Sequence, residues 1–238
     1  MKAILTLVAA LAFAASPFFV PGFSGFDPNL YPIPQLDPPV QPAGYAFAIW
    51  GLIYVWLIVH AGFGLFQRDV DPAWDAPRWP LFVSLAIGAS WLAVAQQSPV
   101  LATILIWVML AGALAALILT PARPDRWLLQ APIAIYAGWL TAASCAALGL
   151  MGSGYGLITD ETGWAYIGLG IALALGVLVQ IARPRAPEYG VTVAWALLAI
   201  AAANRGSNLP VALAAAAGTI VMLALAARAL RQPLTPPA

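Results

Sequence analysis

The sequence predicts an all-α fold, a polytopic membrane bundle of about eight transmembrane helices. Three observations carry that expectation. The chain of 238 residues holds only 10 Lys or Arg and 9 Asp or Glu. At 8% charged and 63% hydrophobic it cannot cover a soluble surface, for which roughly 25% charged residues is usual. Uncharged runs recur at the length that a helix needs to cross a hydrocarbon core of about 30 Å. The basic residues then sort onto one side of those runs, as they do in helical membrane proteins. Sustained period-two alternation, the mark of a transmembrane barrel, is missing.

The first run, about 3–20, follows Met1-Lys2. Its Ile4–Leu11 stretch and Ala12-Phe13-Ala14 also fit a signal peptide with an A-x-A cleavage site, so residues 1–14 read either as leader or as first helix. The second run, 45–66, follows a Pro-rich loop. Runs at 80–97, 99–120, 129–151 and 164–182 come next. A seventh at 190–204 is the shortest, with Glu188 and Tyr189 read as an interfacial loop before it, and the eighth is 209–228. Eight spans put Lys2, Arg68, Arg78, Arg123, Arg126, Arg183, Arg185, Arg228 and Arg231 on one face and Arg205 alone on the other. That bias places both termini in the cytoplasm and the protein in a cell membrane as a multi-pass protein. Dropping or adding a middle span would scatter the basic residues over both faces.

The same residues exclude function classes. A net charge of +1 without a basic cluster argues against nucleic acid as a partner. One Cys (Cys145) and one His (His60) leave no disulfide framework, thiolate zinc site or His-rich metal centre. The spans contain no Asp, Glu, Lys or Arg, which removes the usual elements of an ion-coupled pump. No H-E-x-x-H, G-x-S-x-G or Walker loop occurs, so no catalytic residue, metal or cofactor is assigned and the chain is not expected to be an enzyme. Gly152, Gly154 and Gly156 read as a plain loop. His60 could ligate a metal or haem iron, or serve as a neutral hydrogen-bonder between helices. Cys145, opposite Trp139 on its helix, reads as a small packing residue.

Aromatic placement is more informative. Trp74, Trp79, Trp127 and Trp164 fall in loops or at span ends, where an interfacial belt accounts for them. Trp50, Trp56, Trp91, Trp107, Trp139 and Trp195 lie inside spans. Phe47, Trp50, Tyr54, Leu57 and Ala61 share one face of the second helix, and Pro132, Tyr136, Trp139 and Ala143 share a face of the fifth. Flat rings beside small residues suit either a cavity for a planar apolar ligand or close helix packing. Gly168, Ala172 and Gly176 form a further small-residue stripe.

The order of these residues resembles the TspO/translocator family, also called tryptophan-rich sensory proteins or peripheral-type benzodiazepine receptors. The stretch Pro38-Pro39-Val40-Gln41-Pro42-Ala43-Gly44-Tyr45-Ala46-Phe47-Ala48-Ile49-Trp50-Gly51-Leu52-Ile53-Tyr54 resembles the family's Pro-rich loop and second helix. Trp91, three residues after Gly88, resembles its third-helix Trp. Tyr136-Ala137-Gly138-Trp139 resembles its Tyr-x-x-Trp, with Ala143 where a small residue lines the pocket. The resemblance covers about residues 3–152, a five-helix core, and leaves 153–238 as three additional helices packed with it. It implies that the first span is a retained helix.

Departures are visible too. Gln41 stands where the family has the first Pro of a pair, and Gly44 where a Trp is frequent. Gly88 and Ala147 occupy places that usually carry Asn, so the ligand is expected to differ even where the cavity persists. The resemblance implies a hydrophobic, planar ligand such as a tetrapyrrole or sterol, bound for sensing, regulation or transport. Trp50, Tyr54, Trp91, Tyr136 and Trp139 would stack on it and Ala143 would leave room. Pro39, Pro42 and Tyr45 would shape a loop lid. Expected partners are the lipid bilayer and that hydrophobic small molecule, with a homodimer left open. Two other readings stand beside this one. A small-solute carrier would use Ser84, Ser90, Gln96, Thr141, Ser144 and Asn204 along a shared path, and a structural subunit would use its aromatic faces for helix contacts.

Overall fold

The computed structural model describes residues 1–20, 25–123 and 125–231, so residues 232–238 of the C-terminal segment lie outside the described residues. Its long helices are α1 (Lys2–Phe19), α2 (Ile49–Phe66), α4 (Arg78–Ala95), α5 (Pro99–Leu119), α6 (Arg126–Gly154), α7 (Glu161–Ala182), α8 (Pro187–Asn204) and α9 (Leu209–Arg231). A four-residue turn of helix, α3 (Pro72–Asp75), precedes α4, and a 3₁₀ turn at Gly44–Ala48 leads into α2. Among the described residues there is no strand.

Among the described residues, seven helical segments are long and apolar enough to cross a membrane. The exception is α8, the shortest of the expected spans, whose ends carry Glu188 and Asn204. Geometry nevertheless runs α8 through the full bundle. The Asn208 amide, at the head of α9, donates to the Thr162 hydroxyl in the first turn of α7 at 3.2 Å. The two helices therefore start at the same end, and α8 must bring the chain back between them. Its 18 residues rise about 27 Å.

Helix α6 is the axis of the bundle. It has 29 residues, about 44 Å of helix, and is buried along nearly its whole length. It packs against α2, α5, α7 and α8, while α1 joins α2 and α4 on one flank and α9 joins α7 and α8 on the other. Small residues allow the close approaches. A Cβ on Gly138 would sit 2.7 Å from the Tyr189 carbonyl of α8, and one on Gly88 would sit 2.7 Å from the Phe13 ring of α1. Gly88 therefore has no room for the larger side chain that the family resemblance suggests there. Gly152 and Gly154, expected in a loop, lie inside α6, where they leave space for the Trp164 and Tyr31 rings. Only Gly156 is in the connection, at φ +64°.

Two prolines interrupt the helical hydrogen-bond ladder, and each freed carbonyl finds another donor. Proline lacks an N–H to return to the carbonyl four residues earlier, and inside a bilayer no water replaces it. For Pro17 that carbonyl is Phe13, which accepts from the Ser16 hydroxyl at 2.8 Å. For Pro132 it is Leu128, which accepts from His60 Nδ1 at 2.8 Å. Since a carbonyl can only accept, Nδ1 carries the proton. His60 is thus a hydrogen-bonder between α2 and α6, its ring stacked on Trp74 at 5.1 Å.

The Arg-rich end is tied by ion pairs. Lys2 reaches Asp75 at 2.5 Å, and Arg78 bridges Asp75 and the Gly64, Arg68 and Asp69 carbonyls. Arg68 holds Asp125, a left-handed residue (φ 57°) that starts α6, and the Trp74 indole N–H donates to the same carboxylate at 3.1 Å. The Arg68 hydrogen bond and, less strongly, Trp74 hold the Asp125 carboxyl below the usual carboxylate range.

These contacts correct three expectations. Trp74 is only 1% exposed and Trp164 is 7% exposed, so neither belongs to an interfacial belt, whereas Trp79 and Trp127 are exposed. Glu188 and Tyr189 lie in the first turn of α8 rather than in a loop. Glu188 pairs with Arg126, and the Tyr189 hydroxyl meets Thr141 at 3.0 Å.

Candidate functional site

The long connection between α1 and α2 folds back over the ends of α6 and α8 at the Arg-poor end. The Ile33 N–H donates to the Gly154 carbonyl at 2.9 Å, and the Ser153 hydroxyl donates to Gln35 at 2.6 Å. Val40 is buried against Gly149 of α6 and Gly168 of α7. Three hydrogen bonds then join the connection to α8. Asn204 donates to the Pro39 carbonyl at 2.8 Å, the Ala43 N–H donates to Ala199 at 3.2 Å, and the Trp195 indole donates to Ala46 at 3.2 Å.

Beneath this cover lies an apolar cavity of about 60 Å³. Gly25, Phe26, Gln41 and Pro42 roof it, with Phe47 at the edge. Trp91 of α4, Ile106 of α5 and Ala196 and Ile200 of α8 form its sides. One face of α6 supplies Trp139, Ala142, Ala143, Ala146, Ala147 and Leu150, residues spaced three and four apart. Alanines leave the space and rings bound it. Phe26 meets Trp91 edge to face at 6.0 Å, and Phe47 meets Trp139 at 5.7 Å.

The indole N–H groups of the two cavity tryptophans differ. Trp91 Nε1 donates to the Ala102 carbonyl at 2.9 Å. Trp139 is 1% exposed and its Nε1 has no partner. A buried donor without an acceptor costs roughly 1–3 kcal/mol.

Of the residues singled out in the sequence, Pro42, Trp91, Trp139 and Ala143 line the cavity. Trp50, Tyr54 and Tyr136 form an aromatic layer behind Trp139. Trp50 lies edge-on to Trp139 at 6.0 Å and stacks on Tyr54 at 5.4 Å, while Phe13 touches Trp50, Tyr54 and Tyr136. The Tyr136 hydroxyl is held by Ser84 at 2.8 Å. Pro39 is buried in the cover with its carbonyl on Asn204. Tyr45 lies half-exposed against Trp195 at 5.6 Å. Ala147, where the family resemblance suggests Asn, is a cavity wall, so this position contributes no polar group.

Sequence reasoning missed Phe26, Ile106, Ala196 and Ile200. The last two belong to the C-terminal segment, where the sequence suggested no chemistry. The α8 face follows from tertiary packing, and nothing in its own pattern of alanines marks it.

A bundle of membrane-spanning helices with an apolar, ring-walled cavity under the long α1–α2 connection defines a multi-pass membrane protein. A family model described as TSPO-like protein matches residues 33–228, and the chain belongs to that family. The match runs from the connection after α1 into α9, so it takes in the three C-terminal helices. No curated protein and no solved structure compared with the chain is significantly similar to it.

Proposed function

We propose that the protein binds a hydrophobic, planar small molecule in the cavity below the α1–α2 connection, for sensing, regulation or transport. The carrying observation is the apolar cavity itself, walled by the Trp91 and Trp139 rings and by the alanine face of α6. Such a site favours a flat lipophile, such as a tetrapyrrole or an oxygenated polycycle. Small-molecule pockets have volumes of about 300–1,000 Å³, far above the 60 Å³ found. Binding therefore requires the cover to lift or the rings to turn. The lining among the described residues contains no acid, base or thiol. Charge distribution supports cytoplasmic termini.

The carrier reading loses support. Ser84, Thr141, Ser144 and Asn204 are each buried and hydrogen-bonded within the bundle rather than facing a common path.

The test is titration of protoporphyrin into protein in lipid nanodiscs, read by tryptophan quenching. Ala143→Phe should weaken binding at least tenfold by filling the cavity, and Trp139→Ala should weaken it several-fold by removing a ring from its wall. Unchanged affinity in both variants would overturn the assignment.

A further inference from the structure

Charge is spread unevenly over the Arg-rich end of the bundle. Its acids are Asp69, Asp71, Asp75, Asp125 and Glu188. Lys2 and Arg78 pair with Asp75, Arg68 with Asp71 and Asp125, and Arg126 with Glu188. Asp69 lies in the α2–α3 connection beside Arg68. Acid and base therefore balance around α2, α3 and the start of α6. The far side, where α5, α7 and α9 end, carries Arg123, Arg183 and Arg228 and brings in no acid of its own.

A hollow of about 350 Å³ opens on that far side, within the range of small-molecule sites. Ala122, after α5, and Ala182, Arg183, Pro184 and Arg185, at the α7–α8 turn, line it. A smaller hollow adjoins it at Pro184 and reaches Arg228 of α9. Arg183 is built into the wall. Its Nη1 donates to the Ile118 carbonyl at 3.1 Å and its Nη2 to the Thr120 carbonyl. These are orphan carbonyls at the end of α5, and they hold the guanidinium in place without neutralising it. Two of its five N–H groups are used in this way. Among the described residues no carboxylate pairs with Arg183, although its side chain is half-buried. Burial accordingly pulls its pKa below the usual guanidinium value.

A half-buried, fixed cation of this kind calls for an anion. Guanidinium groups match phosphate oxygens two at a time, and the hollow presents two of them. The surroundings indicate the source of the phosphate. Ile118 and Leu119 of α5 and Leu178 and Ile181 of α7 are each at least half exposed, so the helix ends beside the hollow face lipid, at the depth of the headgroups. A zwitterionic head would bring an ammonium group that this side of the bundle repels, whereas a net-anionic head is attracted by every arginine on it. We propose that the hollow binds the headgroup of a net-anionic phospholipid, with its phosphate on Arg183 and Arg185 and an acyl chain along Leu178 and Ile181. The site lies at the opposite end of the bundle from the α1–α2 connection and does not rest on the ligand proposed there.

The test is native mass spectrometry of the full-length protein in mild detergent, titrated with dioleoylphosphatidylglycerol or dioleoylphosphatidylcholine. One phosphatidylglycerol should bind at least tenfold more tightly than phosphatidylcholine. Ala182→Glu, at an exposed position of the lining, adds a negative charge while keeping both arginines, and it should remove that preference. Arg185→Gln should weaken phosphatidylglycerol at least fivefold, and Arg183→Lys, which keeps the charge but loses the planar fork, should weaken it several-fold. Lys2→Gln removes a cation from the same end of the bundle and should leave the affinity within twofold. Equal affinity for the two lipids would overturn the proposal. So would a loss in Lys2→Gln as large as that in Ala182→Glu, because net charge alone would then explain the preference. Displacement of the lipid by equimolar inorganic phosphate would refute a lipid occupant and assign the hollow to a free anion.

Discussion

Replacing His60 by Phe should destabilise the protein by about 1–2 kcal/mol, and replacing Pro132 by Ala should remove most of that penalty. Phe keeps a flat ring on Trp74, 5.1 Å away in the native stack, so the change isolates the hydrogen bond. What it orphans is the Leu128 carbonyl, 2.8 Å from Nδ1, at a site where His60 is only 3% exposed. An unsatisfied buried acceptor costs roughly 1–3 kcal/mol, while hydrogen bonds between membrane helices average about 0.6 and reach about 1.7 kcal/mol. With Ala at 132 the backbone N–H returns to Leu128 and His60 becomes redundant. The double-mutant cycle should therefore show a coupling of about 1 kcal/mol. Reversible unfolding in mixed detergent micelles, followed by tryptophan fluorescence and circular dichroism, measures all four corners. If His60→Phe costs the same in both backgrounds, within about 0.3 kcal/mol, the proline-freed carbonyl is not what His60 serves.

Other consequences are as direct. Asn204→Leu leaves the buried Pro39 carbonyl without its 2.8 Å donor. It should loosen the cover by about 1–2 kcal/mol, seen as faster amide exchange at residues 38–46 with exchange in α5 unaltered. Gly138→Leu should be more damaging than Gly51→Leu. A Cβ at 138 meets the Tyr189 carbonyl at 2.7 Å and one at 51 meets nothing within 4 Å, so thermal stability in detergent should fall by several degrees only in the first. Asp125 has a folded-state pKa depressed by Arg68 and Trp74. Its contribution is present above the unfolded value, near 3.9, and is lost as pH falls through the lower folded value. Acid titration of stability should show that loss below about pH 4, and Asp125→Asn should flatten it.

Particular residues show what the sequence could and could not disclose. The helix positions were legible because lipid imposes a length and a composition on each crossing, so uncharged runs mark them within a few residues. The ends of α6 were not legible. Gly152 and Gly154 look like loop residues until the rings of Trp164 and Tyr31 are seen to need their space. Trp91, Trp139, Pro42 and Ala143 were found through family order, and they do line one cavity. Tyr136 shares the α6 face in a helical projection but turns to Ser84, because a buried hydroxyl goes where an acceptor is.

By itself, the sequence determined the all-helical membrane class, the Arg-rich and Arg-poor ends, and the ring-and-alanine face of α6, since each follows from the solvent that every segment must meet. Tertiary structure alone decided that α8 walls the cavity and holds its cover, that Trp74 is core rather than belt, and that Arg126 meets Glu188 across 62 residues of chain. Those outcomes depend on which buried donor finds which acceptor across helices, and a one-dimensional pattern of hydrophobicity carries no record of that pairing.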